Sequence, residues 1–312
     1  MKNSDRPSNS KRRFFIFLSA ALGAGALGGV AGSLFWASNS TRFLMYIKGK
    51  QTAALGRLAR NVLPLQGHKL EVSFGDSIRR LVEAGAISPR KFKLVYAKRG
   101  GLPAWVEELF TQSSSEPITM SFQTAPYLLN LMWPLGMATK TQFNDKSKLN
   151  GPKVGRFAST AGWILGEALR GGGYFNKVSS IDLTTEQEAA VLEAAENSYR
   201  PCCNNSTFFQ DCNHGSALLG LYELAASQGA NTDELYAIGR SANSFWYPSE
   251  YIEMAYFFRK LKGKSWNQVA AKTILEKKYS SIGGWQRNVH LPMVEAGLLP
   301  RSQLGGASNC GV

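Results

Sequence analysis

An uncharged stretch near the N-terminus constrains this chain more than any other feature. Residues 14–36 carry no charged side chain, and no later stretch of the sequence matches them. They exceed the ~20 residues that a helix needs to cross the ~30 Å hydrocarbon layer of a bilayer. Because Lys11, Arg12 and Arg13 stand directly before the stretch, the positive-inside rule predicts a cytoplasmic N-terminus. The residues that follow would then lie on the opposite face of the membrane.

The apolar stretch is either a retained anchor or a cleaved signal. Signal cleavage requires small residues at positions −3 and −1 of the cut, and Ala31 with Ser33 meets this requirement loosely. The stretch is longer than the ~7–15 residues of a signal core. We therefore expect a membrane anchor, with a secreted protein after cleavage as the alternative. Glycine pairs four residues apart, Gly25 with Gly29 and Gly28 with Gly32, would allow two such helices to form a homodimer.

The residues at the start of the stretch, Lys-Arg-Arg-Phe-Phe-Ile at positions 11–16, resemble a bacterial twin-arginine export signal. That signal has two arginines, any residue and two apolar residues, and Lys11 takes the place where it prefers Ser or Thr. The resemblance implies export of a protein that has already folded, often with a cofactor. It places the bulk of the chain on the periplasmic or outer face of the bacterial inner membrane.

The composition indicates a folded and basic protein. Hydrophobic residues make up 44% of the chain and charged residues 19%, which excludes a wholly disordered chain. The formal net charge is +14, which suits either nucleic acid or an anionic membrane surface. The sequence contains no zinc-finger spacing, basic zipper or RNA-binding strand motif, so we do not expect nucleic acid as a partner. The expected partner is the membrane.

The pattern of apolar residues predicts a mainly α fold, a helical extracytoplasmic domain after one N-terminal transmembrane or signal helix. The only strand candidates are residues 70–74 and 93–96. A helix is expected over 124–139, where Pro134 should bend or end it. Another helix is expected over 160–169. The chain divides into a basic cytoplasmic tail (1–13), the apolar segment (14–36), a connecting region (37–68) and the helical domain (69–312), whose C-terminal tail we expect to be flexible.

Chemistry-bearing residues concentrate in one short segment between two predicted helices. Three of the four cysteines and one of the three histidines lie within residues 202–214. Asp211 or Asn213 should cap the second helix. Cys212 and His214 would then lie at the positive end of the helix dipole, which favours the thiolate form of a cysteine.

The first interpretation of this segment is a metal site. Cys202, Cys203, Cys212 and His214 could supply four ligands, and Cys310 could replace one of them. Thiolate and imidazole ligands suit zinc, copper(I) or iron. The spacing differs from that of a zinc finger, so the sequence indicates the ligand chemistry without indicating a known site.

Two further interpretations stay open. Four cysteines in an oxidising compartment could form two disulfides. Either Cys202 or Cys203 would pair with Cys212, and the other with Cys310, which gives a non-catalytic, membrane-tethered binding or structural protein. Alternatively, Cys212 could act as a nucleophile with His214 as its base and Asp211 orienting that base, or the thiols could do redox work.

Several segments in the second half of the chain resemble an uncharacterised bacterial family of exported proteins. They are WPLGMATK (133–140), FASTAGW (157–163), YRPCCNNSTFF (199–209), DCNHGSALLG (211–220) and NSFWYP (243–248). The resemblance implies no particular activity, so whether the protein is an enzyme is left open. We expect a membrane-anchored helical protein with a Cys/His site for metal or redox chemistry.

Overall fold

The computed structural model describes residues 52–98 and 100–299, and they form a mainly helical protein, as predicted. The α-helices, in chain order, are α1 (Thr52–Val62), α2 (Ser77–Glu83), α3 (Pro89–Ala97), α4 (Ala104–Leu109), α5 (Ala125–Ala138), α6 (Gln142–Asp145), α7 (Ala158–Gly162), α8 (Thr185–Asn197), α9 (Asn213–Ser227), α10 (Thr232–Trp246), α11 (Pro248–Leu261), α12 (Ala271–Leu275), α13 (Lys277–Ser280), α14 (Ile282–Trp285) and α15 (Leu291–Glu295). Short 3₁₀ turns occupy Val154–Arg156, Gly171–Gly173 and Trp266–Gln268, and a π-helical turn, Gln286–His290, joins α14 to α15.

The centre of the molecule is the crossing of α5 and α9. Residues 130–138 of α5 and 215–226 of α9 are all buried. The two backbones touch where Gly136 meets Gly220. A Cβ atom on Gly220 would lie 2.5 Å from the nitrogen of Gly136 and 2.6 Å from the oxygen of Met132. Only glycine allows helices to approach this closely.

The remaining long helices surround this pair. Helices α8 and α10 pack against α9, α2 packs against α5, and α11 packs against α1. Helix α8 begins with a capping box in which Thr184 and Gln187 exchange hydrogen bonds, which satisfies backbone amides that the helix start leaves without partners. Because α8 ends and α9 begins at the two sides of the cysteine-containing loop, their packing fixes where that loop starts and stops.

Among the described residues there is one short sheet, which is antiparallel and pairs β1 (His68–Lys69) with β2 (Thr119–Met120). The amide of Leu70 continues the pairing by donating to the oxygen of Ile118, so the predicted strand at 70–74 is present only at its start. The predicted strand at 93–96 is wrong. Those residues lie in α3, because Pro89 starts a helix and Phe92 and Tyr96, four residues apart, are buried on one face.

Of the two outcomes expected at Pro134, a bend or an end of the helix, the structure excludes the end, since α5 continues to Ala138. The burial of the surrounding side chains outweighs the ~3 kcal/mol that a proline costs inside a helix. The helix expected over 160–169 is shorter and earlier, since α7 ends at Gly162, and Leu169 is 92% exposed.

Several predictions fall outside the described residues. These are the basic tail, the apolar segment at 14–36, most of the connecting region and Cys310. Within 52–98 and 100–299, no helix has both the length and the apolar composition that a membrane crossing requires.

Candidate metal centre

The cysteine-containing loop, residues 198–212, is held in place by backbone hydrogen bonds to distant parts of the chain. The amide of Tyr199 donates to the oxygen of Leu275, and the amide of Ile282 donates to the oxygen of Cys203. Within the loop, the amide of Thr207 donates to the oxygen of Ser198 at 2.8 Å. The loop is therefore a packed element whose side chains have defined directions.

The three cysteines of this loop converge. The Sγ atom of Cys202 lies 3.8 Å from that of Cys203 and 3.7 Å from that of Cys212. All three sulfurs lie within 4.8 Å of one another. Cys202 and Cys212 are buried, whereas Cys203 is partly exposed, so the cluster opens toward solvent on the Cys203 side.

These distances are not those of a disulfide. A disulfide requires sulfurs ~2.05 Å apart, and no disulfide joins Cys202, Cys203 and Cys212 to one another. The predicted pairing of Cys212 with Cys202 or Cys203 is therefore not formed in this structure, because the loop holds the sulfurs in van der Waals contact. The predicted second pairing, with Cys310, lies outside the described residues.

A buried arginine lies against the cluster. Arg200 is 0% exposed, and its Nε donates to the sulfur of Cys212 at 3.3 Å. Its Nη1 donates to the oxygen of Asn205 at 3.3 Å. The guanidinium also packs against Gly215, where a Cβ atom would lie 2.7 Å from Cζ of Arg200. Glycine at the start of α9 therefore makes room for the cation.

The charge of Arg200 needs a counter-charge, and the ionisable group that its guanidinium contacts directly is the thiol of Cys212. No carboxylate in the described part of the chain forms an ion pair with Arg200. Burial by itself lowers the pKa of the guanidinium, but Cys212, Cys203 and Cys202 together raise it well above its ordinary value. An isolated buried charge is costly. A thiolate in the cluster would supply the counter-charge that Arg200 lacks.

Cys212 is the cysteine best placed to carry that negative charge. It is the N-cap of α9, and its sulfur accepts a hydrogen bond from the amide of Gly215 at 3.3 Å in addition to the one from Arg200. The expected caps were Asp211 or Asn213, so the cysteine itself performs this role. At Cys203, hydrogen bonds to the other two cysteines, followed by burial, raise the pKa, which favours its protonated thiol.

His214 does not join the sulfurs. Its ring packs against Tyr247 and Trp246, with ring centroids 4.8 and 5.8 Å away, and its Nδ1 is buried without a hydrogen-bond partner. Burial lowers the pKa of His214 to about 4, so the imidazole is neutral at neutral pH. The predicted four-ligand set is therefore reduced to three. Successive residues at a helix start rotate by ~100°, so Cys212 and His214 point in different directions.

Asp211 also points away from the imidazole. Its carboxylate accepts a hydrogen bond from the amide of Ala158 at 3.0 Å, and its backbone oxygen accepts one from Ser159 at 3.1 Å. Burial raises the pKa of this carboxyl. Asp211 thus ties the loop to α7, and the predicted nucleophile, base and orienting group (Cys212, His214, Asp211) are not aligned.

The spacing of the sulfurs fits a thiolate-preferring metal. A Zn–S bond of ~2.3 Å gives a tetrahedral S···S edge of ~3.8 Å, which matches the 3.7 and 3.8 Å separations here. Copper(I) and iron also accept thiolate ligands, whereas magnesium and calcium prefer oxygen. The three cysteines can therefore hold a soft or borderline metal ion, with one coordination position left over.

Sequence reasoning missed Arg200 and Gly215. Arg200 could have been recognised as a candidate site residue because it lies two residues before the cysteine pair, in a loop that has no other basic residue. Nothing local indicated that its side chain would be buried, because that depends on the packing of α9 against the loop.

Comparison with known proteins adds no assignment. No protein-family model matches the chain, and neither a curated protein nor a solved structure is significantly similar to it. The resemblance to a family of exported proteins thus stays a prediction.

Proposed function

We propose that this protein binds a thiophilic metal ion through Cys202, Cys203 and Cys212, while residues 14–36 tether it to a membrane. The observation that carries the proposal is the convergence of three sulfurs beside a buried cation. Buried thiols without a ligand would need neither that spacing nor a permanent positive charge. Both features are useful when the sulfurs are thiolates.

Charge balance favours a divalent ion. Three thiolates and one divalent ion carry a net charge of −1, and Arg200 supplies +1. The buried site is then neutral overall, which removes most of the cost of burying ions. Zinc is our first choice, since tetrahedral thiolate coordination is its common structural geometry. Iron(II) has the same charge, and copper(I) reaches neutrality with only two thiolates.

Three protein ligands leave the fourth position for another donor. In zinc proteins an open position characterises catalytic sites, whereas structural sites are closed by a fourth side chain. Cys203 is the partly exposed member of the cluster, so a fourth donor would approach from its side. A water molecule, a substrate or the sulfur of Cys310 would suit the position chemically.

We place the metal-binding domain on the periplasmic or outer face of a bacterial inner membrane. The support is the uncharged segment at 14–36 and the three basic residues before it. A homodimer through the glycine-spaced helix is consistent with the same segment. If the segment is cleaved, the domain would be secreted with the same metal site.

The direct test is metal analysis of the full-length chain purified from its own membranes without added metal. We expect about one zinc per chain, and its loss in Cys202→Ser and Cys212→Ser. Cys310→Ser is the matched control: it removes one thiol elsewhere and retains the metal unless Cys310 supplies the fourth ligand, in which case affinity weakens.

Thiol counting under denaturing conditions completes the test. A metal-free protein with two or four thiols missing would reject the metal site and support the disulfide or redox alternative. A metal-free protein with four reactive thiols that also fails to take up zinc on titration would reject both. Copper or iron in place of zinc would keep the site and change the assigned ion.

A further inference from the structure

A second site lies on elements that the cysteine cluster does not use. Helix α1 packs against α11, with Leu58 and Val62 buried between them. A pocket of about 310 Å³ opens beside this contact. Its lining consists of Arg57, Leu58, Arg60, Asn61 and Arg259, and we call it the arginine pocket.

Two helices bring the three arginines of this pocket together. Arg57, Arg60 and Asn61 are three and four residues apart on α1, so they share one side of that helix. Arg259 approaches from the last turn of α11. Arg60 folds back along its helix, since a Cβ atom on Gly56 would lie 3.6 Å from its Nη1.

No negative side chain compensates these charges. The pocket lining contains no Asp or Glu, and within the described ranges none of the three arginines forms an ion pair. The C-terminal dipole of α11 favours a cation at Arg259. The dipole of α11 does not explain why Arg57 and Arg60 also line this pocket, because their positive charges repel each other and that of Arg259. An anion would convert this repulsion into attraction.

We propose that the arginine pocket binds the phosphate group of an anionic ligand. Guanidinium groups donate paired hydrogen bonds that match phosphate oxygens. Asn61 adds an amide donor, and buried Leu58 provides an apolar floor. Three cations exceed what a single carboxylate would use, whereas a phosphate can accept hydrogen bonds on several oxygens.

The surroundings of the pocket favour an anionic phospholipid headgroup as the source of that phosphate. Lys260, Lys262 and Lys264 continue the basic surface beyond Arg259, and each basic residue near an anionic membrane contributes ~1 kcal/mol. Leu261, 37% exposed, lies among them. Residues 37–51 connect α1 to the apolar segment at 14–36, and at ~3.3 Å per residue they allow α1 to reach the membrane surface.

The test uses the full-length chain in an uncharged detergent and isothermal titration calorimetry. The probes are short-chain phosphatidylglycerol below its micelle concentration, inorganic phosphate, and short-chain phosphatidylcholine as the zwitterionic control. The variant is Arg57→Gln/Arg60→Gln/Arg259→Gln. Its matched control, Arg90→Gln/Arg156→Gln/Arg170→Gln, removes the same charge from three other exposed arginines.

We expect saturable phosphatidylglycerol binding by the wild-type chain and the control variant, and at least tenfold weaker binding by the pocket variant. Binding of inorganic phosphate without phosphatidylglycerol would support the pocket and assign free phosphate as its source. Equal weakening in both variants would show non-specific charge attraction and overturn the proposal. Absence of saturable binding of either anion would also overturn it. All six arginines are exposed, so both variants should fold, which circular dichroism can verify.

Discussion

Arg200→Met is the sharpest test of how the cysteine cluster works. The substitution removes the buried cation that lies beside the three sulfurs and leaves an unbranched apolar side chain in its place. Without the cation and without metal, the sulfurs can take up protons, so the buried cluster need not carry an unpaired charge. We therefore expect a folded protein with weakened metal binding.

The magnitude follows from the contact between Arg200 and Cys212. Their atoms Nε and Sγ are 3.3 Å apart, and opposite unit charges at that distance attract by ~5 kcal/mol at an effective dielectric constant of ~20. Losing one member of a buried charged pair costs ~2–5 kcal/mol in measured cases. At 1.4 kcal/mol for each factor of ten, a loss of ~3 kcal/mol weakens zinc binding by about 100-fold.

The assay is competition for zinc with a chromophoric chelator at fixed pH. Arg200→Lys retains the charge without the planar fork and should weaken binding by about tenfold. Arg240→Met is the matched control, because Arg240 is a partly buried cation that donates to the oxygen of Val269 and lies over Trp266, without contact to the cysteines. If folded Arg200→Met bound zinc as tightly as the wild type, the counter-charge argument would be refuted.

Three further predictions concern the helical core. Gly220→Ala should lower the free energy of unfolding by at least ~2 kcal/mol, because its Cβ would collide with Gly136. Gly56→Ala, where the new Cβ would make only ordinary van der Waals contact with Arg60, should leave stability equal or higher in chemical denaturation. Glu223 is fully buried, and burial raises its pKa far above the ordinary value. The folded state therefore keeps a proton that the unfolded state loses, and stability falls as pH rises. Glu223→Gln should gain up to ~1.4 kcal/mol over the wild type for each pH unit above the ordinary glutamate pKa, and a pH-independent difference would contradict this. His290→Leu should cost ~3 kcal/mol at pH 8, because it leaves Glu253, 2.9 Å away, buried as an unpaired charge. The cost should shrink as the pH falls, because burial raises the pKa of Glu253 and a protonated carboxyl carries no charge that needs a partner; a cost that does not change with pH would refute the role of this pair.

The helices were predictable because their signals are local. Helix α9 follows the cysteine-containing segment directly, α10 begins at a capping box formed by Asn231 and Glu234, and α11 begins with Pro248. Each of these helix starts depends on residues that are neighbours in the sequence. The failures arose where local pattern competes with packing. Residues 93–96 include the apolar run from Leu94 to Tyr96, which suits a strand as well as a helix, yet they lie in α3. Pro134 does not end α5, because the core keeps that helix intact.

The candidate site also has one part that the sequence predicts and another part that depends on packing. That Cys202, Cys203 and Cys212 could meet follows from their closeness in the chain. That His214 and Asp211 would not join them depends on how α9 starts and on the hydrogen bonds between Asp211 and α7. The direction of a side chain at a helix start changes with the position of the cap, and neither residue type nor spacing specifies that position to within one residue.

The sequence by itself determined that the chain is mainly helical, basic and equipped with one concentration of thiols, because helical periodicity, charge and composition are properties of neighbouring residues. Only the tertiary structure decided that three sulfurs and a buried arginine form one cluster without the histidine, and that three arginines share one pocket. Those juxtapositions depend on contacts such as Tyr199 with Leu275 and α1 with α11. Contacts between residues far apart in the chain are fixed by the packing of the whole core.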